Sequence, residues 1–209
     1  MALATWLAFF VASWLISLSP GAGAISCMAA GMRYGYARAF WNIVGLQVGI
    51  LFVLAIVALG LGAIIAASTA MFTAIKWLGA AYLVWLGVQQ WRAPASPVRD
   101  GDADDDSQGS PGRLVLRGFL VNASNPKGIV FMLAVLPQFI DPLAPQFPQY
   151  AICGATLLFT DLVVMSGYTG LAARVLAMLR EPHHGRWVNR TFGGMFVAAG
   201  AVLATFRRA

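Results

Sequence analysis

Apolar residues in this chain come in long blocks, with polar residues gathered between them. Six blocks can be marked: Leu3 to Gly31, Phe40 to Ala67, Met71 to Trp91, Leu114 to Ile140, Gln149 to Ala173 and Val188 to Phe206. A helix rises 1.5 Å per residue, so about 20 apolar residues cross the roughly 30 Å hydrocarbon layer of a bilayer. The pattern therefore predicts an all-α integral membrane protein with six transmembrane helices. No basic segment precedes the first block, which argues for a retained span rather than a cleaved leader.

One connection differs from the others. Pro94 to Arg113 reads "PASPVRDGDADDDSQGSPGR", with three Pro, three Gly, three Ser and five Asp. Such a segment has nothing to bury and is expected to be a flexible acidic cytoplasmic linker. It divides the chain into a first three-helix repeat (1–93), a linker (94–113) and a second three-helix repeat (114–209).

Composition supports the membrane assignment. The chain has 209 residues, 59% of them hydrophobic and 11% charged, where soluble domains carry about 25% charged residues. Mean hydropathy is +0.74. The net charge of +6 does not indicate nucleic acid, because most of the cations sit at the ends of apolar blocks, as in membrane proteins. Ten of them follow blocks 1, 3 and 5: Arg33, Arg38, Arg92, Arg99, Arg113, Arg117, Arg174, Arg180, Arg186 and Arg190. Lys76, Arg207 and Arg208 lie on the other side. This places the odd connections in the cytoplasm and both termini outside, although the Arg207–Arg208 pair pulls the other way.

Two blocks are interrupted. "ISLSPGAGAISC" puts Pro20 inside the first, and "VNASNPKGIV" puts Pro126 inside the fourth. A proline within a helix removes a hydrogen bond, crowds the preceding turn and costs about 3 kcal/mol or more. In lipid, loosened backbone is tolerated only where protein covers it or where it lines a watery cavity. The prolines lie 106 residues apart, each in the first helix of a half, and three spans per half would orient the halves oppositely. Inverted repeats with a discontinuous helix in each half point to a secondary transporter with a midplane site.

At this point the residues resemble a family. "LSPGAGAISCMAAGMRYGYARAFWNIVGLQVG" is similar to the first two helices of LysE/RhtB-type amino-acid exporters, through Ser19, Pro20, Gly21, Gly31, Arg33, Gly35, Gly45 and Gly49. "KWLGAAYLVWLG" resembles that family's third helix. "GFLVNASNPKGIVFMLAVLPQF" resembles its fourth, through Asn125-Pro126-Lys127 and Leu136 to Phe139. The likeness covers nearly all the chain except the linker. Ala22 and Gly23 depart from the Pro and Asn of the family pattern, so the identity of the cargo does not carry over. The resemblance implies export of an amino acid or similar metabolite across the bacterial cytoplasmic membrane, coupled to the proton motive force, with no cofactor.

Candidate chemistry is sparse. Of the eight acidic residues, Asp161 alone lies mid-block, so it should face the bundle interior and have a partner. Lys127 is the natural partner, and Asp161 is a candidate for carrying the exchanged proton, against a structural Lys–Asp pair. Half-helices starting after Pro20 and Pro126 could aim their N-terminal N–H groups at a substrate carboxylate, with Lys127 adding a full charge. Ser19, Gly21, Asn122 and Asn125 complete the candidate binding set. Gln47 joins it as a lining residue deeper than Asn42.

The Gly31/Gly35 and Gly45/Gly49 spacings suit close helix packing or a homodimer contact. His183 and His184 read as loop residues, and Trp6, Trp77, Trp85, Trp91 and Trp187 as interface anchors. Cys27 and Cys153 read as buried free thiols. A membrane thiol–disulfide carrier would need equivalent cysteines in the halves, and these two are not equivalent. A metal exporter would need several hard ligands within the spans, and the sequence shows one mid-block acid and no mid-block His. A purely structural subunit would leave the broken helices without purpose.

Overall fold

The computed structural model describes residues 1–67, 69–92, 109–172 and 182–205. The body of the acidic linker, Arg99, Arg174, Arg180 and the Arg207–Arg208 pair lie outside these residues. Among the described residues every regular element is helical. Seven are distinguished: α1 Leu3–Leu18, α2 Ala22–Ala67, α3 Thr69–Arg92, α4 Pro111–Ala123, α5 Pro126–Phe139, α6 Gln146–Gly170 and α7 Pro182–Thr205. Two stretches, Ala22–Gly60 and Gln146–Gly170, are long and apolar enough to cross a membrane, and α4 with α5, bent by 52°, makes a third.

Ala22–Gly60 is not one rod. Its 39 residues would extend about 58 Å, nearly twice the hydrocarbon thickness. Gly35 breaks it, with φ 72° and ψ 167°, a left-handed backbone that glycine adopts without steric cost. Beyond that residue the chain runs back on itself. Ser26 Oγ donates to Asn42 Oδ1 at 3.3 Å, and Asn42 Nδ2 donates to Cys27 Sγ at 3.4 Å. In a straight helix, residues 15 apart would be about 22 Å apart. The sequence pattern left Met32 to Ala39 as a connection, but a single glycine makes the turn and helix continues on both sides.

Other boundaries move for similar reasons. Pro111, Gly112 and Arg113, assigned to the linker, form the first turn of α4, with Pro111 at a position where the missing N–H costs nothing. Pro182 starts α7 in the same way, so His183 and His184 are helical rather than in a loop. α5 opens as an α-helix, widens to a π turn over Phe131–Val135 and tightens to a 3₁₀ end over Leu136–Phe139. Pro137 is the cause: it lacks an N–H and its ring crowds the carbonyl four residues back.

Glycines set how the helices meet. A Cβ on Gly45 would run into the Val115 carbonyl, one on Gly118 into the Asn42 carbonyl, and one on Gly49 would lie 2.8 Å from Asn122 Cβ. The second arm of α2 and α4 thus touch backbone to backbone, running parallel, and the small-residue spacing serves packing within the chain. α6 lies parallel to α1, through Trp6 to Thr156 (3.2 Å), Ser17 to Thr160 (3.4 Å) and Tyr168 to Leu18 (2.6 Å). α3 and α7 cross in opposite directions, with Gly87 against Gly193 and Gly200 against Ala80. The outward faces carry Leu7, Val11, Leu51, Phe52, Ile56 and Phe159, a surface suited to hydrocarbon. Cys27 and Cys153 are free, buried and in separate apolar clusters.

Candidate functional site

The two interruptions meet around one cavity. A helix ending inside a membrane protein leaves C-terminal carbonyls without partners, and the next helix opens with unpaired N–H groups. At the first break α1 stops at Leu18, Ser19 and Pro20 are extended or irregular, and α2 begins at Ala22. The carbonyls of α1 find partners elsewhere: Leu15 O accepts from Ser19 N–H, and Leu18 O accepts from the Tyr168 hydroxyl at 2.6 Å. Lys127 Nζ donates to Ile16 O at 3.0 Å and to Ser19 O at 2.6 Å. A cation at a helix C-terminus also meets the negative end of its dipole. The second break thus supplies the cap for the first.

The second break is closed mainly by its own residues, with one bond from α3, where the Tyr82 hydroxyl donates to Pro126 O at 3.4 Å. Ser124 Oγ donates to Leu120 O at 2.6 Å, and Asn125 N–H bonds Asn122 O at 3.0 Å. Asn125 Oδ1 then accepts from Lys127 N–H at 3.1 Å, capping the helix that starts at Pro126. Asn122 Nδ2 donates to Leu46 O at 2.7 Å, which pins α4 to α2.

Between the breaks lies an open-mouthed cavity; the empty space in and in front of it, open solvent included, is about 650 Å³. Ser19, Gly21, Asn122, Asn125, Lys127 and Asp161 line it, together with an apolar wall that includes Leu46, Ile50, Val53, Phe131, Met132 and Leu157. Six of the nine residues singled out in the sequence therefore share one space. Pro20 and Pro126 shape the breaks without lining it. Gln47 sits behind Asp161 and donates its amide to Asp161 Oδ2 at 2.7 Å. Asp161 is thus held by Gln47 rather than by the expected direct bond with Lys127, whose ammonium caps α1.

Two polar atoms at the site are buried and unpartnered: Ser19 Oγ and Gln47 Oε1. Ser19 is 1% exposed. Asn42 is not at the site; it is fully buried among Ser26 and Cys27 at the α2 fold-back.

Sequence reasoning missed Tyr168, Ser17 and Thr160. Tyr168 had a legible signal: it stands two helical turns beyond Asp161, on the same face of α6. Ser17 and Thr160 had none, since short hydroxyl side chains are common in apolar helices, where they return to their own backbone.

An all-helical membrane protein with broken helices around an internal polar cavity has the architecture of a transporter. Residues 14–206 match the LysE type translocator family, and the chain belongs to that family; it is a translocator and not an enzyme. Among its relatives is the homoserine/homoserine lactone efflux protein of Salmonella typhimurium, 44% identical over 98% of both chains. An uncharacterized membrane protein of Vibrio cholerae is 41% identical over 96% of both. The leucine efflux protein of Klebsiella pneumoniae is 28% identical over 65% of this chain and 63% of its own length. No solved structure matches.

Proposed function

We propose that this protein exports a small amino acid of the homoserine type from the cytoplasm across the bacterial cytoplasmic membrane, by proton antiport with alternating access. The observation that carries the reading is the convergence of both helix breaks on one cavity holding Lys127 and Asp161. A zwitterion needs polar groups of both signs at its two ends and an apolar wall between them. The efflux proteins among the relatives act on molecules of this kind by name.

The architecture we infer is six spans in two inverted repeats, 1–93 and 114–209, joined by the acidic linker. Three arrangements support it. α2 folds back on itself at Gly35 and its second arm runs parallel to α4, so the first helices of the two halves point in opposite directions. The pairing of α2 with α4 has its counterpart in that of α1 with α6, while α3 and α7 pair with each other in opposite directions. Shifting by 106 residues carries Pro20 onto Pro126 and Gly35 onto Asp141, where the chain also turns. Rocking of the halves about the cavity would expose it to either side. The Gly45/Gly49 spacing is taken up by α4 within the chain.

Asp161 is the residue we assign to proton exchange, and Gln47 positions it. Ser19, Gly21, Asn122 and Asn125 shape the cargo's surroundings, and Lys127 holds the first break in place beside it. The test is uptake of radiolabelled homoserine into inverted membrane vesicles under an imposed proton gradient. The wild type should accumulate it until an ionophore collapses the gradient, and Asp161→Asn should not. Accumulation by Asp161→Asn equal to wild type overturns the coupling assignment.

A further inference from the structure

Glycines line the cavity at four positions, and they are not alike. A Cβ on Gly21 would lie 3.2 Å from Lys127 Nζ, and one on Gly49 would lie 2.8 Å from Asn122 Cβ. At these positions the glycine makes room for the chain itself: for the ammonium that caps α1, and for the seam between α2 and α4. Gly128 has open space, but beside the polar lining, where a Cβ would meet Asn122 Oδ1 at 3.8 Å. Gly23 differs from all three. A Cβ there would stand 3.6 Å from both terminal methyls of Leu46 and 4.0 Å from Met165 Sδ, which is ordinary van der Waals contact. The backbone does not require glycine at this position, since Gly35 alone among the described residues has a left-handed φ. Gly23 is also the second residue of α2, inside a helix, where alanine has the better propensity. Neither packing nor backbone accounts for this glycine. The space left by its missing side chain belongs to the cavity, because Gly23, Leu46 and Met165 all line it.

We infer that Gly23 is a specificity-determining residue: the space beside it receives the end of the cargo's side chain, with Leu46 and Met165 as walls, and sets how long that side chain can be. The inference rests on the exporter reading above and adds the residue that separates long cargoes from short ones. Gly23→Ala puts a methyl where the end of a long side chain would lie, whereas a one-carbon side chain stops short of it. One methylene more or less in an apolar pocket changes discrimination by about 10–200-fold, so a single methyl is enough to divide cargoes by length.

The experiment is competition against radiolabelled homoserine counterflow in liposomes, using the full-length chain as wild type, as Gly23→Ala, and as Gly23→Ala combined with Leu46→Val. The competitors are alanine, norvaline and norleucine, with side chains of one, three and four carbons. In wild type, competition should hold or strengthen from alanine to norleucine. In Gly23→Ala, alanine should keep its strength within about twofold, and norleucine should weaken at least roughly tenfold. Adding Leu46→Val, which cuts back the facing wall, should restore most of that loss. An equal loss for all three competitors, a loss that Leu46→Val does not relieve, or norleucine refused by wild type overturns the role of Gly23 and leaves the exporter reading intact. If Gly23→Ala does not fold, Leu46→Val alone decides: norleucine should gain on alanine relative to wild type, and an unchanged ratio overturns the inference. Absence of homoserine counterflow in wild type overturns both readings.

Discussion

The breaks at Ser19–Gly21 and at Asn125–Pro126 begin from the same fault, a proline inside an apolar helix, and resolve it differently. The second is closed mainly locally: Asn125 caps its own helix and Ser124 returns to Leu120. The first is closed from a distance, by Lys127 and Tyr168 across the cavity, and the Ser19 hydroxyl stays free. A break closed mainly by its own residues is a fixed bend. A break that borrows its partners from the other half holds together only while the halves keep their relation, and its spare polar groups are available to a cargo. The second break is therefore the support, and the first is the seat.

The difference can be broken most forcefully at Lys127. Lys127→Met leaves Ile16 O and Ser19 O without a donor, at about 1–3 kcal/mol for each orphaned carbonyl. Thermal unfolding in detergent should shift down accordingly, and amide exchange should accelerate around Ser19 to Ala24 more than around Asn125. Asn125→Ala removes one cap, for about 0.5–2 kcal/mol, and should loosen α5 while leaving exchange at the first break unchanged. Tyr168→Phe loses a single hydrogen bond to Leu18 O and should cost about 0.5–1.5 kcal/mol, again with the exchange effect confined to the first break. Equal responses at both breaks in all three variants would remove the distinction.

Much of this was legible in the residues. Long apolar blocks with prolines at Pro20 and Pro126 give helices and breaks, because lipid offers backbone no other partner. Asp161 and Lys127 stood out because charge in apolar surroundings needs a reason. Their pairing was not legible. Which acceptor an ammonium reaches depends on where a helix end lies in space, and Lys127 found the α1 carbonyls while Asp161 found Gln47. The single-residue turn at Gly35 was hidden for another reason: helix on both sides with one glycine between has the pattern of a continuous rod, and contacts such as Ser26 with Asn42 are needed to show the reversal. The loop reading at His183–His184 failed because the cue used was Pro182, which starts a helix as readily as it ends one.

The central claim is that cargo rests against the first break. Ser19→Cys, placed in a chain with Cys27→Ser and Cys153→Ser, puts one thiol at the unpartnered position. Its rate of modification by a small water-soluble thiol reagent should fall severalfold when homoserine saturates the site. A rate that homoserine leaves unchanged, in a variant that still transports it, would place the cargo elsewhere.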